Sequence, residues 1–262
     1  MTKSHAASYP QADALAWHRE RAIQPIERIL LSGLVLVADP VLEAGVGQGR
    51  LLALLAKAGF TRLHGFDTEL AALEIARRDP LLAKVALTRQ DARAVAYRDG
   101  MFRYVIYLQQ LLSLMDGDAA RRAAANESFR VLQPGGTALF SFLAWTNRGG
   151  KLHLRLYVRY IRLLRLLLRS RLPITELSWL RTGGRLNWGA LFDHGPHVRY
   201  FRVEEATDML RLAGFTVLRA GSELDFLSAP LPRGRSPVPN GIYVVCTKPA
   251  YQDPRSQGIM TR

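Results

Sequence analysis

The stretch VLEAGVGQGR sets glycines at 45, 47 and 49 just behind an acid, Glu43, where an apolar run ends. Glycines in such a turn let the backbone bend sharply and lie close against a ligand. A glycine-rich turn also occurs in dinucleotide sites and as an ordinary strand–helix connection. The dinucleotide pattern G-x-G-x-x-G, however, would need glycine where Arg50 stands. A carboxylate at a strand end is costly to bury without partners, which favours a binding role for Glu43. Asp67 in HGFD and Asp91 in RQDARA close two further apolar runs, and each taken alone could be a loop cap. Candidate general bases are His194 and His197 in FDHGPHVRYF, with His153 and His18 behind them. A hydroxyl nucleophile needs such a base, whereas a neutral amine or a thiolate does not. Surface or loop positions are the competing reading for each histidine, and Tyr200 fits a core position equally well.

The elements that must hold these residues alternate. Asp13 can cap a helix through LAWHRERAIQ, and Pro25 ends it or kinks it into a second short helix carrying Ile26, Ile29 and Leu30. VLEAG reads as a buried strand, RLLALLAKAGF as a helix, RLHGFD as a strand and TELAALEIARRDP as a helix. KVALTRQD and FRYVIYL are strands, Asp118–Leu132 is a helix, and Pro134-Gly135-Gly136 turns into the strand TALFSFL. After an interruption come the helix VEEATDMLRLAGF, the strand TVLRAGSEL, a proline-rich loop and the strand IYVVCTK. Such alternation predicts βαβ units, a parallel sheet covered on both faces, and a ligand site outside the carboxyl ends of its strands.

Several of these segments together resemble a known family. Glu43 to Gly49, read as E-x-G-x-G-x-G, looks like motif I of the class I S-adenosylmethionine-dependent methyltransferases. Asp67 stands where that family holds the ribose hydroxyls, and Asp91, with Ala92 beside it, where it meets the adenine amino group. RVLQPGG is similar to the family's link into strand five. HVRYFRVEEATDMLRLAGFTV looks like its closing helix and sixth strand. The resemblance spans about 41–144 and 197–248. It implies an α/β fold with a doubly wound, mostly parallel seven-stranded sheet whose last strand is antiparallel. It also implies S-adenosylmethionine as cofactor, held by Glu43, Gly45, Gly47, Gly49, Asp67, Asp91, Ala92, Leu108 and Gln109. Glu43 would lie near the methionine amino end, as would the backbone of Leu108, Gln109 and Gln110. The sulfonium-bound methyl of that cofactor is already activated. The protein's task is orientation, which can lower a barrier by roughly 7–11 kcal/mol. One position departs from the pattern: the fourth strand opens Phe102-Arg103 where the family has Phe-Asp.

The 262 residues are read as a single methyltransferase domain, with a helical segment over 1–38, a basic helical insertion over 145–200 between strands five and six, and a frayed tail over 249–262. Tyr9, Trp17 and Arg21 of the first segment either face the cofactor or pack on the sheet. The single cysteine, Cys246, excludes an internal disulfide and a multi-cysteine metal site, and no metal is expected. With no apolar leader core in the first residues, the protein is expected to be cytoplasmic.

Net charge is +14, and the stretch from Asn147 to Arg202 holds twelve Lys or Arg against two acids, Glu176 and Asp193. Within it, KLHLRLYVRYIRLLRLLLRSR (151–171) repeats cations at 151, 155, 159, 162, 165 and 169. On a helix these occupy an arc of about 120°, with apolar residues over most of the remainder. A membrane span is excluded, because six central cations would cost on the order of 15 kcal/mol. Three readings fit. The helix covers the site, burying its apolar face and leaving the arginines in water. Or it lies peripherally on an anionic membrane, which would suit a lipid acceptor. Or it grips RNA phosphates, with Tyr157, Tyr160, Trp179 or Trp188 stacking on bases. The expected activity is methyl transfer to a small or lipophilic acceptor at oxygen or nitrogen. The rivals are an RNA (tRNA) methyltransferase and a non-catalytic module of the same fold.

Overall fold

The computed structural model of the chain describes residues 24–145, 152–182, 185–227 and 241–250. The expected helix from Asp13, the residues Tyr9, Trp17, His18 and Arg21, and the tail beyond 250 lie outside the described residues.

Chain order begins with α1 (Pro25–Leu31), whose first position is the proline. Proline lacks the N–H that would be unpaired there, so it starts this helix without loss. β1 (Val41–Ala44), α2 (Arg50–Lys57), β2 (Leu63–Asp67), α3 (Leu70–Arg77) and β3 (Ala86–Arg89) follow as expected. Next come β4 (Phe102–Tyr107), α4 (Leu111–Leu114), α5 (Gly117–Val131) and β5 (Leu132–Ala144). β5 starts earlier than the proline–glycine turn suggested. Leu132 is in register with Phe102, and Gly135 and Gly136 exchange backbone hydrogen bonds with Lys248, so the stretch is already laddered.

Seven strands form one path, β10–β11–β5–β4–β1–β2–β3, where β10 is Thr216–Ser222 and β11 is Gly241–Thr247. β3, β2, β1, β4 and β5 pair in parallel, while β11 pairs antiparallel with β5 and with β10. Strand order reverses between β1 and β4, which opens a crevice at their carboxyl ends. Alternation along β4 sends Val105 and Tyr107 into one core cluster and Tyr104 and Ile106 into the other. Both faces are therefore dry, and β1, at the centre, has every residue buried.

The insertion is not purely helical. It holds α6 (Leu152–Leu167), the short strands β6 (Glu176–Ser178), β7 (Arg181–Thr182) and β8 (Arg185–Leu186), a 3-10 turn (Trp188–Phe192) and β9 (His197–Phe201). β9 pairs in parallel with Leu143 and Ala144 and antiparallel with β6, bringing the sheet to nine strands. At Leu143 one edge of β5 is already taken by β11, so β9 occupies the edge that β4 leaves after Tyr107. The insertion is thereby seated above the carboxyl end of β4. α7 (Val203–Leu212) and a short α8 (Glu223–Phe226) complete the described elements.

The expected arrangement of the basic helix is corrected in two ways. Arg165, assigned to the solvent stripe, is buried and paired with Asp193. Of the apolar residues, only Tyr157, Val158 and Ile161 are fully buried, while most of the leucines face solvent. The inward face is narrower than composition suggested, because it packs on two short strands and one β5 end rather than on a sheet.

Candidate functional site

The loop between β1 and α2 lies at the sheet's point of reversal. Gly45, Gly47 and Gly49 all have positive φ, of 69°, 54° and 83°. At Gly49 a side chain would also be crowded, since a Cβ would come within 2.3 Å of the buried Leu82 side chain, which would have to move. The loop is tied down from β2. The Gly45 and Val46 amides donate to the Phe66 carbonyl, and the Gly47 amide donates to Asp67 Oδ2 at 2.8 Å. The other Asp67 oxygen accepts from the Glu69 amide at 2.9 Å. Asp67 thus fixes the loop through one oxygen, at the strand end where the resemblance puts the ribose.

Register carries the edge onward. Asp67 pairs with Arg89, so Asp91 emerges two residues beyond the same edge. Its carboxylate takes hydrogen bonds from the Arg93 guanidinium and amide, which hold it below the usual carboxylate range. Ala92 is buried beside it. On the other flank, Leu108 is buried, and Gln109 and Gln110 both have left-handed backbones, with φ of 61° and 57°. Non-glycine residues in that region cost on the order of 1–3 kcal/mol each and are over-represented at functional sites. The second of them is held by the Gln110 amide donating to Ser141 Oγ at 2.9 Å.

Glu43 lies between these flanks, in register with Gly65 on β2 and Ile106 on β4. It is 4 % exposed, and its Oε2 is without a hydrogen-bond partner among the described residues. Burial pushes its pKa well up; Arg50 opposes the shift, while Glu27 and Asp67 add to it.

Two participants escape a motif reading. Glu27 of α1 is buried, forms an ion pair with Arg50 and accepts from Gln109 Nε2 at 2.7 Å. Arg50 has a signal of its own, since it is the residue that breaks the dinucleotide pattern. Glu27 has none, because nothing local says that α1 reaches the loop. Arg103, the departure in β4, lies at the opposite end of its strand, donating to the Gly135 carbonyl and facing Asp39. It does not enter the site.

The histidines are not brought to this edge by any described contact. His194 and His153 are exposed. His197 Nε2 is 3.1 Å from Asp193 Oδ1, and Asp193 also accepts from Arg165 Nε and Nη2 at 2.6 and 2.7 Å. Burial alone would raise the Asp193 pKa, but the hydrogen bonds from Arg165 and His197 outweigh it and the carboxyl is held low. This group closes the insertion on itself. Tyr200 lies in the insertion's core with Tyr157, Ile161 and Leu177. No cluster of His, Cys, Asp or Glu suited to a metal occurs among the described residues.

The residues fit S-adenosylmethionine on an observation independent of the motif. Beside the glycine loop lie two buried carboxylates, Glu27 and Glu43, and one half-buried guanidinium, Arg50, with one carboxylate oxygen left without a hydrogen-bond partner among the described residues. A cofactor carrying an ammonium and a sulfonium would supply the positive charge that an ionised Glu43 needs there. Burying a charge is tolerated only when it is paired.

Comparison with known proteins bears on the fold. Residues 41–136 match the family model described as a methyltransferase domain. No curated protein matches the sequence. An S-adenosylmethionine-dependent methyltransferase from Methanosarcina mazei superposes with a TM-score of 0.63 at 17% identity, over 87% of this chain and 99% of that one. A TehB-like S-adenosylmethionine-dependent methyltransferase from Corynebacterium glutamicum gives 0.56 at 15% identity, over 94% and 100%. The [4+2]-cyclase SpnF gives 0.56 at 15% identity, over 86% and 81%. At these identities the likeness is one of fold, and a cyclase shares it.

Proposed function

We propose, from the premise that this chain carries a class I S-adenosylmethionine-dependent methyltransferase domain, that it transfers the methyl group to a small or lipophilic acceptor at oxygen or nitrogen. The observation that carries the reading is the unpartnered buried oxygen of Glu43 beside a glycine loop that Asp67 pins. Bound S-adenosylmethionine supplies an activated methyl on a sulfonium. The chain's own residues orient and neutralise. Asp67 and Asp91 mark the nucleoside end, and Glu43, Glu27 and Arg50 set the charge at the amino-acid end. Gln109 and Gln110 turn the chain where the methyl would emerge. The insertion, seated above the carboxyl end of β4, covers that exit and supports acceptor selection there. An amine acceptor needs no base, whereas a hydroxyl acceptor would need one, and no described contact brings a histidine to the glycine-loop edge.

The test has two stages. Calorimetry with S-adenosylmethionine is expected to show binding that Asp67→Ala weakens; no binding by the folded protein would end the proposal. Labelled cofactor incubated with fractionated cell extract is then expected to mark a lipid or small-molecule fraction. Label entering RNA would transfer the reading to an RNA methyltransferase. Binding without transfer to any fraction would point to a non-catalytic module or to another chemistry on this fold, which a cyclase also shares.

A further inference from the structure

α6 presents two different faces. Inward, Tyr157, Val158 and Ile161 pack against Leu143, Leu177, Val198 and Tyr200, and Arg165 turns in to Asp193 and the carbonyls of Pro173 and Glu176. Outward, Leu152, Leu156, Leu163, Leu166 and Leu167 fall within an arc of about 100°. They are 69, 53, 56, 74 and 71 % exposed. Arg155 and Arg162 line one flank of that arc, Arg159 lies within it between Leu166 and Leu152, and Arg169 and Arg171 follow it, all exposed. None of these five arginines joins an ion pair among the described residues. On the other flank, the Tyr157 and Tyr160 hydroxyls donate to the carbonyls of Ala190 and Leu191. They hold there the turn that exposes Trp188 and Phe192.

A contiguous run of bare leucines and aromatics beside unpaired arginines is a contact surface rather than a solvated face. Its charge decides the occupant. A second copy would bring a stripe without acids against its own like. The segments 1–23, 146–151, 228–240 and 251–262 are each net positive, so none offers the stripe a complementary net charge. RNA phosphates would satisfy the arginines but leave the leucines in water, since bases stack on aromatic faces. An anionic bilayer satisfies both: leucine, tryptophan and phenylalanine enter the boundary between headgroups and acyl chains, and the arginines stay among the phosphates. No helix among the described residues is long and apolar enough to cross a membrane, so the contact is a surface one.

We propose that the outer face of α6, together with Trp188 and Phe192, docks this protein onto an anionic lipid bilayer. α6 shares a cluster with Leu143, at the carboxyl end of β5, and with Leu114 of α4, the helix that follows β4. The docked face therefore lies on the same side of the sheet as the glycine loop. If the methyl-transfer reading above holds, the acceptor is a membrane-resident amphiphile; the docking itself does not depend on that reading.

The test is flotation of the full chain, without cofactor, on phosphatidylcholine vesicles with and without phosphatidylglycerol. Co-flotation is expected only with phosphatidylglycerol and is expected to weaken as salt rises. Leu163→Glu with Leu167→Glu, both at exposed positions, is expected to leave the unfolding temperature unchanged and to lower partitioning at least about tenfold. Arg155→Gln with Arg159→Gln gives an independent loss should the first variant fold poorly. Failure of the folded wild type to float overturns the proposal. So does equal flotation of the leucine variant, which would reduce the contact to charge alone. A dimer in sedimentation that the leucine changes dissociate, or tRNA binding without flotation, would reassign the face to a second copy or to RNA. Calorimetric binding of S-adenosylmethionine by the leucine variant is expected to be unchanged. Lost cofactor binding in a protein that still floats would count against the methyl-transfer reading alone.

Discussion

Glu27, on the helix before the first strand, accepts a hydrogen bond from the side chain of Gln109, past the end of the fourth, at 2.7 Å. Its carboxylate also pairs with Arg50, so one buried acid joins α1, the glycine loop's helix and the β4 exit. Removing one partner of a buried pair leaves an uncompensated charge and costs roughly 3–5 kcal/mol. Glu27→Ala is expected to destabilise the protein by about 3 kcal/mol in urea unfolding. Glu27→Gln, which keeps the shape and one of the two accepting oxygens, is expected to lose less stability but to weaken cofactor binding.

Asp67 secures the loop amide of Gly47 and stands where the ribose is expected. Asp67→Asn keeps an acceptor for that amide but loses the charge. It is expected to bind cofactor on the order of tenfold more weakly, equivalent to about 1.4 kcal/mol, while the unfolding temperature barely moves. Unchanged affinity in calorimetry would remove Asp67 from the site.

Burial raises the pKa of Glu43 from an ordinary value near 4.5. A group with a raised folded pKa contributes stability that is fully present below its unfolded pKa and is lost as pH rises through the folded one. Wild-type and Glu43→Gln proteins without cofactor are therefore expected to have similar unfolding temperatures in acid. They should diverge, with the glutamine form the more stable, as pH rises above about 4.5. A constant difference across pH would show that Glu43 is not buried as an uncompensated acid.

The insertion carries the opposite dependence. Asp193 is held below its ordinary 3.8 by Arg165 and His197. Its stabilisation is fully present above that value and is lost as pH falls through the depressed one. Arg165→Ala removes the pair and the ties to Pro173 and Glu176. Hydrogen exchange is expected to quicken over 172–201 and to leave β1 to β4 protected. Uniform quickening would mean that the insertion and the sheet unfold as one.

Cys246 is buried in β11, and burial pushes its thiol up to about 12. Thiol reagents act on the thiolate, so labelling of the native protein at neutral pH is expected to be slow and to become rapid only on unfolding. Fast native labelling would place β11 in a more open environment.

The alternation of apolar runs and glycine or proline breaks was enough to place β1 to β5 and α2, α3 and α5, because strand and helix periods are local properties of the chain. That Glu43, Gly45, Gly47, Gly49, Asp67 and Asp91 would gather at one edge of the sheet was legible for the same reason, since each lies at or just past the end of a strand. Parallel strands bring their carboxyl ends to one side whatever the rest of the chain does. Three things were not local. The partnership of Glu27 with Arg50 and Gln109 depends on where α1 docks. β9 and β6 became strands because β5 has a free edge once β4 ends, a vacancy set by register. In α6 the pattern of arginines and leucines gave the amphipathic helix, yet could not say which stripe faces in. That depended on Asp193 capturing Arg165 and on Leu143, Leu177 and Val198 offering so narrow a seat. Periodicity determines which residues share a face; only the packed neighbours determine whether that face meets protein or remains open to a partner.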